Sequence, residues 1–82
     1  MTPRERVKKL LDDANILYYN LTEELEDLQR SYFDNLEKAS SVPDKAMLHK
    51  RLSIDSKEII KALDATAIKI LEFENLLRGQ YA

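Results

Sequence analysis

The sequence contains no cysteine and no tryptophan, and it has only one glycine and two prolines among its 82 residues. Without cysteine, the chain forms no disulfides, has no thiolate metal ligands and offers no thiol nucleophile. The scarcity of glycine and proline argues against β-sheet folds, because these need turn residues much more often. A chain that is 34% charged and poor in turn residues is typical of long helices.

The chain also lacks a strong net charge and a long apolar run. Thirteen Lys and Arg nearly balance fifteen Asp and Glu, and the net charge of -2 does not attract nucleic acid. The longest uncharged run, residues 14–22, is far shorter than the roughly 20 apolar residues that span a bilayer. We therefore expect a cytoplasmic protein that binds neither nucleic acid nor membranes.

The sequence contains no pattern typical of catalysis. Its only histidine, His49, lies in a basic stretch, and no Gly-rich loop is present to hold a phosphate group. One histidine also cannot supply the repeated Glu-x-x-His ligands of di-metal helical bundles. We expect no enzymatic activity, no metal or other cofactor, and no small-molecule substrate.

A long helix is predicted over about residues 3–39. Thr2 can cap it, with Pro3 at the first helical position and Glu5 at the third. Apolar residues then recur about every 3.6 positions, which is the period of an α-helix. They are Val7, Leu10, Ala14, Leu17, Leu21, Leu25, Leu28, Tyr32, Leu36 and Ala39.

Small and turn-forming residues interrupt the pattern at residues 40–43. Ser41 can cap a second helix, with Asp44 at its third position. Alternatively, Val42 can be extended, as residues before proline usually are. Both geometries place a short turn between two helices.

The second helical pattern covers about residues 44–78, and Gly79 can close it in the left-handed conformation. Its apolar stripe consists of Leu48, Leu52, Ile59, Leu63, Ala67, Ile70, Leu77 and Tyr81. The stripe weakens near residues 53–56, where Asp55 could cap a separate helix. We therefore expect one all-α domain over residues 1–82, either a long antiparallel helical hairpin or a three-helix bundle.

The charges suit the hairpin. If the numbers of facing residues sum to about 82, the basic residues of segment 4–9 lie beside Glu72. In the same pairing, the acidic residues of segment 23–27 lie near Lys57. Such exposed ion pairs indicate the register more than they stabilise the fold.

Residues 59–77 are unusually rich in apolar side chains, which occupy 12 of the 19 positions. A helix with one neighbour needs an apolar stripe a little over 100° wide, so a wider stripe must be covered on more than one side. The candidate residues for a second contact are Ile60, Ile68, Leu71, Phe73 and Leu76 of the second helix, with Ile16 and Tyr19 of the first.

Three arrangements would cover this surface: a third helix of the same chain, dimerisation into a four-helix bundle, or docking on a different protein. We therefore expect a non-enzymatic interaction module, an adaptor or regulatory subunit, that binds a protein partner through the apolar face of its C-terminal helix. The alternative is a self-assembling structural bundle, a homodimer with no other partner.

Residues 56–64, Ser-Lys-Glu-Ile-Ile-Lys-Ala-Leu-Asp, resemble the second helix of BAG domains. These helical co-chaperones bind the ATPase domain of Hsp70, and paired aliphatic residues precede a Leu-Asp in that helix. The resemblance implies nucleotide exchange by Hsp70, with acidic residues of the second helix and Arg and Gln of a third helix contacting the chaperone. Only Arg78 and Gln80 could supply those contacts here, so a BAG-like co-chaperone is kept as a further alternative.

Overall fold

In the computed structural model, which describes residues 1–79, the chain forms two long helices. Helix α1 covers Pro3–Lys38 and helix α2 covers Val42–Gly79. The helices pack against each other as a rod that measures 59 × 15 × 14 Å. The described residues contain no strand, and the all-α helical hairpin expected from the sequence agrees with this structure.

Each helix begins at a hydroxyl side chain. Thr2 Oγ1 accepts a hydrogen bond from the Glu5 backbone N–H at 3.2 Å, and Ser41 Oγ accepts one from the Asp44 N–H at the same distance. Each bond satisfies one of the N–H groups that have no partner within the first helical turn. Of the two geometries considered for the turn, the serine cap is present, and Val42 is the first residue of α2.

Helix α2 runs through residues 53–56 without a break, so the three-helix alternative is wrong for the described chain. Asp55 caps no new helix, and its carboxylate instead accepts a hydrogen bond from the Tyr32 hydroxyl of α1. Ser56 is buried, and its hydroxyl donates to the Ser53 carbonyl at 3.4 Å. The polar residues that weaken the apolar stripe therefore belong to the contact between the two helices.

The C-terminal end of α2 differs from the expectation. Gly79 has no positive φ and remains helical, so it does not close the helix in the left-handed conformation. Tyr81 of the predicted stripe and Gln80 of the BAG comparison lie outside the described residues.

The contact between the helices follows a heptad spacing, in which steps of three and four residues alternate. On α1, the half-buried positions of this seam are Val7, Leu11, Ala14, Leu21, Leu25, Leu28 and Tyr32, with Tyr18 at 40% exposure completing the series. On α2, the seam consists of Leu52, Ser56, Ile59, Leu63, Thr66, Ile70, Phe73 and Leu77. An average step of 3.5 residues is typical of a two-stranded coiled coil.

This spacing corrects the predicted stripe of α1. Leu10 and Leu17, which were assigned to the contact, are 45% and 50% exposed, and Leu11 lies in the seam instead. The reason is the mismatch between periods, since a 3.6-residue stripe drifts by about 20° per heptad from a 3.5-residue seam.

Setting the two seams opposite each other gives an antiparallel register in which facing residue numbers sum to about 84. Tyr32 then faces Leu52 and bonds to Asp55, one turn further along α2. This offset is expected, because the side chains of the two antiparallel helices tilt in opposite directions. Between residues 1 and 79, the three ion pairs join residues three apart on one helix, so the expected cross-helix pairs are not formed.

No hydrophobic side chain of residues 1–79 is buried. The two buried residues are Ser56 and Thr66, each 8% exposed, and the Thr66 hydroxyl donates to the Ala62 carbonyl at 2.7 Å. These small polar residues fit in the middle of the seam, whereas larger side chains extend beyond its edges. A pair of helices therefore covers one face of each seam residue and leaves the rest of the side chain open to solvent.

Candidate interaction surface

The hairpin presents many large apolar side chains to solvent. Within the described chain, they are Met1, Leu10, Ile16, Leu17, Tyr18, Tyr19, Phe33, Val42, Met47, Ile54, Ile60, Ile68 and Leu71. Single exposed apolar residues are normal in soluble proteins, but neighbouring ones often mark an interaction site. Their arrangement around the two helices is therefore the relevant question.

The hairpin has two long sides, separated by the seam. Successive residues of an α-helix lie about 100° apart around its axis. Because the two helices run in opposite directions, residues one position after a seam residue lie on the same side of the hairpin in both helices. We call this the front side, and the side formed by residues one position before a seam residue the back side.

The front side contains Tyr19 and Thr22 from α1, with Ile60, Ala67 and Leu71 from α2. Tyr19, Ile60 and Leu71 are 62%, 46% and 59% exposed, and the smaller Thr22 and Ala67 between them are half-buried. In the register described above, these residues extend from the middle of the hairpin toward the end remote from the turn. The front side thus presents apolar groups of both helices, with the exposed carboxylate of Asp64 between Ile60 and Ala67.

The polar atoms of the front side are bonded within α1. The Tyr19 hydroxyl donates to Glu23 Oε1 at 2.8 Å, and the Thr22 hydroxyl donates to the Tyr18 carbonyl at 2.9 Å. The hydrogen bond to the Glu23 carboxylate raises the pKa of Tyr19 above its ordinary value of 10.0. Both hydroxyl protons therefore keep their acceptors when another molecule covers the front side.

The back side contains fewer large exposed groups. Leu10 and Leu17 of α1 are exposed there, while Ala62 and Leu76 of α2 are half-buried. Carboxylates accompany these residues along both helices, among them Asp13 on α1. Charged residues also occur on the front side, among them Asp12, Glu26 and Lys57, so both sides are mixed in character.

The seven residues predicted for a second contact do not share one face. Ile60, Leu71 and Tyr19 lie on the front side. Ile16 and Ile68, at 59% and 57% exposure, lie on the outer surfaces of their helices, opposite the seam. The two remaining residues are both half-buried: Phe73 belongs to the seam and Leu76 to the back side.

The predicted set also omitted some exposed residues. Phe33 is 54% exposed on the front side near the turn, and Leu10 and Leu17 were missed because they had been assigned to the seam. Met47 and Ile54, at 73% and 60% exposure, line two shallow cavities of about 300 and 360 Å³ on the outer surface of α2. A count of exposed positions for a 3.5-residue seam would have found all five.

Comparison of the chain with known protein families, curated proteins and solved structures found no match. Neither helix in residues 1–79 contains an apolar stretch long enough to cross a membrane. Over the same residues, no three His, Asp or Glu side chains are grouped so that they could hold a metal ion. Function is therefore inferred from the exposed apolar surface.

Proposed function

We propose that this chain is a non-enzymatic protein–protein interaction module, an adaptor or regulatory subunit, that binds through the apolar surface of the C-terminal half of α2. One observation supports this most directly. Residues 1–79 bury no hydrophobic side chain, while Ile60, Ile68 and Leu71 are each about half exposed. These side chains are available to a protein partner.

The surface area of the chain supports the same proposal. The accessible surface is 6387 Å², whereas a compact monomer of 9.6 kDa is expected to expose about 5,100 Å². The excess of about 1,300 Å² exceeds the roughly 800 Å² that each partner buries in an interface of standard size. The hairpin thus carries enough additional surface for a stable complex.

Stability considerations favour a partner as well. In chains of this size, a single core rarely supplies more than about 5 kcal/mol, and this hairpin lacks fully buried apolar side chains. A partner that binds the folded hairpin would stabilise it by mass action.

Two kinds of partner fit this surface. A different protein would make the chain an adaptor, and a second copy would complete a four-helix bundle by dimerisation. The excess area does not distinguish a different protein from a second copy, since either partner would cover it. The BAG-like alternative would need a third helix, which the described residues do not contain.

The test combines light scattering behind size exclusion with binding of the apolar dye anilinonaphthalene sulfonate. We expect the protein either to have the mass of more than one chain or, as a monomer, to bind the dye. Leu71→Asp places a charge in the apolar surface, so it should abolish self-association or dye binding, whichever the protein shows. Its circular dichroism spectrum should remain helical. A monomer that binds no dye would contradict the proposed function.

A further inference from the structure

We infer that the outer surface of α2, opposite the seam, binds an amphipathic helix of a different protein, and that this helix is acidic where it lies against residues 47–61. The inference rests on the proposed function and names the chemistry of the partner. It depends on three features: an apolar row on the outer surface of α2, two cavities beside that row, and the distribution of charge around it.

The apolar row follows α2 on the side opposite the seam. Met47, Ile54 and Ile68 belong to a series spaced by seven residues, and Lys61 is the member between the last two. The three apolar side chains are 73%, 60% and 57% exposed. Positions opposite the contact face of a helix are normally polar, because they face water. The hairpin alone therefore does not explain the large apolar groups in this row.

The corresponding row of α1 is mainly charged. It consists of Lys9, Ile16, Glu23, Arg30 and Glu37. Ile16 is the apolar member of this row, and the carboxylates of Asp12 and Asp13 lie one turn before it. An apolar outer row is thus a property of α2 and not of both helices.

Two shallow cavities lie beside the row in the half of α2 nearer the turn. Their volumes are about 300 and 360 Å³, and Met47 lines both, with Leu48 in the first and Ile54 in the second. In coiled coils, a side chain of one helix inserts into a hole between four residues of its neighbour. A partner helix along the row can insert its apolar side chains into these cavities in the same way.

The half of α2 nearer the turn has an excess of basic side chains. Residues 44–61 contain five Lys and Arg and three Asp and Glu, a net charge of +2. Two of the carboxylates already have partners in the chain, since Asp55 accepts a hydrogen bond from the Tyr32 hydroxyl and Glu58 lies 3.7 Å from Lys61. The basic residues of the outer surface and its edges are Lys50, Arg51, Lys57 and Lys61. Carboxylates of a partner helix would find cationic groups on both edges of the row.

The charge of α1 restricts an acidic partner to α2. Segment 12–37 contains eight Asp and Glu and one basic residue, Arg30. This segment repels an acidic helix, whereas residues 44–61 of α2 attract it. Exposed ion pairs add little affinity, but they select among surfaces with similar apolar contact.

The other half of α2 has no excess of positive charge. Residues 62–79 contain three acidic and two basic side chains, and Glu72 is bonded to Lys69 at 3.3 Å. An anionic membrane surface would be attracted by only one half of the row and would meet the carboxylate of Asp64 in the other. A helix can be acidic along one half only, and its own heptad spacing matches the row. These features favour a helical protein segment over a membrane.

Two synthetic peptides test the charge of the partner. Both are helices of three heptads with leucine at the apolar positions, and they differ only in having glutamate or lysine beside the leucines of one half. In fluorescence anisotropy, we expect the protein to bind the glutamate peptide about tenfold more tightly than the lysine peptide. The triple variant Lys50→Glu, Lys57→Glu and Lys61→Glu should reverse this preference. Circular dichroism checks that it remains helical.

A matched pair of variants tests which surface binds the glutamate peptide. Ile54 and Ile16 are 60% and 59% exposed on the outer surfaces of α2 and α1, so Ile54→Asp and Ile16→Asp make the same change at equal exposure. We expect Ile54→Asp to weaken binding about 30-fold, because it places a charge in the apolar row. Ile16→Asp should leave binding unchanged. Ile54→Ser and Ile16→Ser repeat the comparison without an added charge if an aspartate impairs folding.

Four results would overturn this inference. Equal binding of the two peptides would show that charge does not select the partner. Binding that is lost with Ile16→Asp and kept with Ile54→Asp would place the contact on α1. A chain that sediments with phosphatidylserine vesicles but binds neither peptide would have a membrane as its partner. A chain that binds apolar dye but neither peptide would lose this inference and keep the proposed function, which fails separately if no dye binds to a monomer.

Discussion

Ser41 fixes the start of α2 through one hydrogen bond, from the Asp44 N–H to its hydroxyl oxygen. Ser40 precedes it in the turn and is exposed. We expect Ser41→Ala to lower the free energy of unfolding by about 1 kcal/mol, because an N–H group of the first turn loses its acceptor. The matched change Ser40→Ala should have almost no effect. Urea unfolding followed by circular dichroism measures both, and equal effects would show that the cap does not stabilise α2.

Tyr32 joins the two helices through its hydrogen bond to Asp55. This bond to a carboxylate raises the pKa of Tyr32 above its ordinary value of 10.0. Since the folded state holds the proton more tightly, the bond stabilises the fold below pH 10 and is lost as the pH rises through the raised pKa.

We therefore expect Tyr32→Phe to unfold at a lower urea concentration than the unmodified protein at neutral pH. The difference between the two proteins should shrink above about pH 10, where the tyrosine hydroxyl ionises. Tyr18→Phe is the control, because Tyr18 accepts the hydrogen bond of the Thr22 hydroxyl with its backbone carbonyl and not with its phenol group. A difference that stays constant with pH would mean that the hydroxyl contributes nothing to stability.

At the scale of the helices, residue types set the boundaries and tertiary packing sets the faces. Thr2 and Ser41 are recognisable as caps from the sequence, because each precedes an acidic residue three positions later. The side of α1 that packs on α2 is harder to predict. A straight helix of 3.6 residues per turn predicts Leu10, whereas a spacing of 3.5 residues predicts Leu11, and the structure has Leu11 half-buried.

The continuity of α2 near Asp55 illustrates the same limit. The spacing of Asp55 and Glu58 is compatible with a cap of a new helix and with the interior of an unbroken helix, so the local pattern does not distinguish the two. The contact of Asp55 with Tyr32, 23 positions away in sequence, cannot be read from local spacing. The sequence leaves a break open as an alternative because Asp55 can form a capping box and the apolar stripe weakens at Asp55 and Ser56, but in the structure Ser56 is buried in the seam.

Lys57→Pro distinguishes an unbroken helix from a break at Asp55. Proline is tolerated in the first turn of a helix, whereas in a helix interior it costs about 3 kcal/mol or more. Because α2 continues through residue 57, we expect this large loss in urea unfolding, with only a small change for the exposed control Lys57→Ala. If Lys57→Pro were as stable as Lys57→Ala, the helix would have to begin anew after Asp55.

At the scale of the whole molecule, the sequence indicates that a second surface exists but not where it lies. The surplus of apolar residues in segment 59–77 is visible without a structure. Assigning Leu71 to the front side and Leu76 to the back side requires the register of the seam, since each lies only one position from a seam residue. Only the packing of the two helices decides which of two adjacent residues lies in the seam.

Thermal unfolding at different protein concentrations tests whether the partner in the proposed function is a second copy of the chain. If only the folded hairpin dimerises, each tenfold increase in concentration stabilises the dimer by about 1.4 kcal/mol, so the midpoint temperature should rise steadily with concentration. Leu71→Asp should unfold at a lower temperature that does not change with concentration, whereas Leu17→Asp should keep the dependence. A midpoint of the unmodified protein that is constant across a hundredfold range would mean that the hairpin folds without a second copy. That result would favour a different protein as the partner.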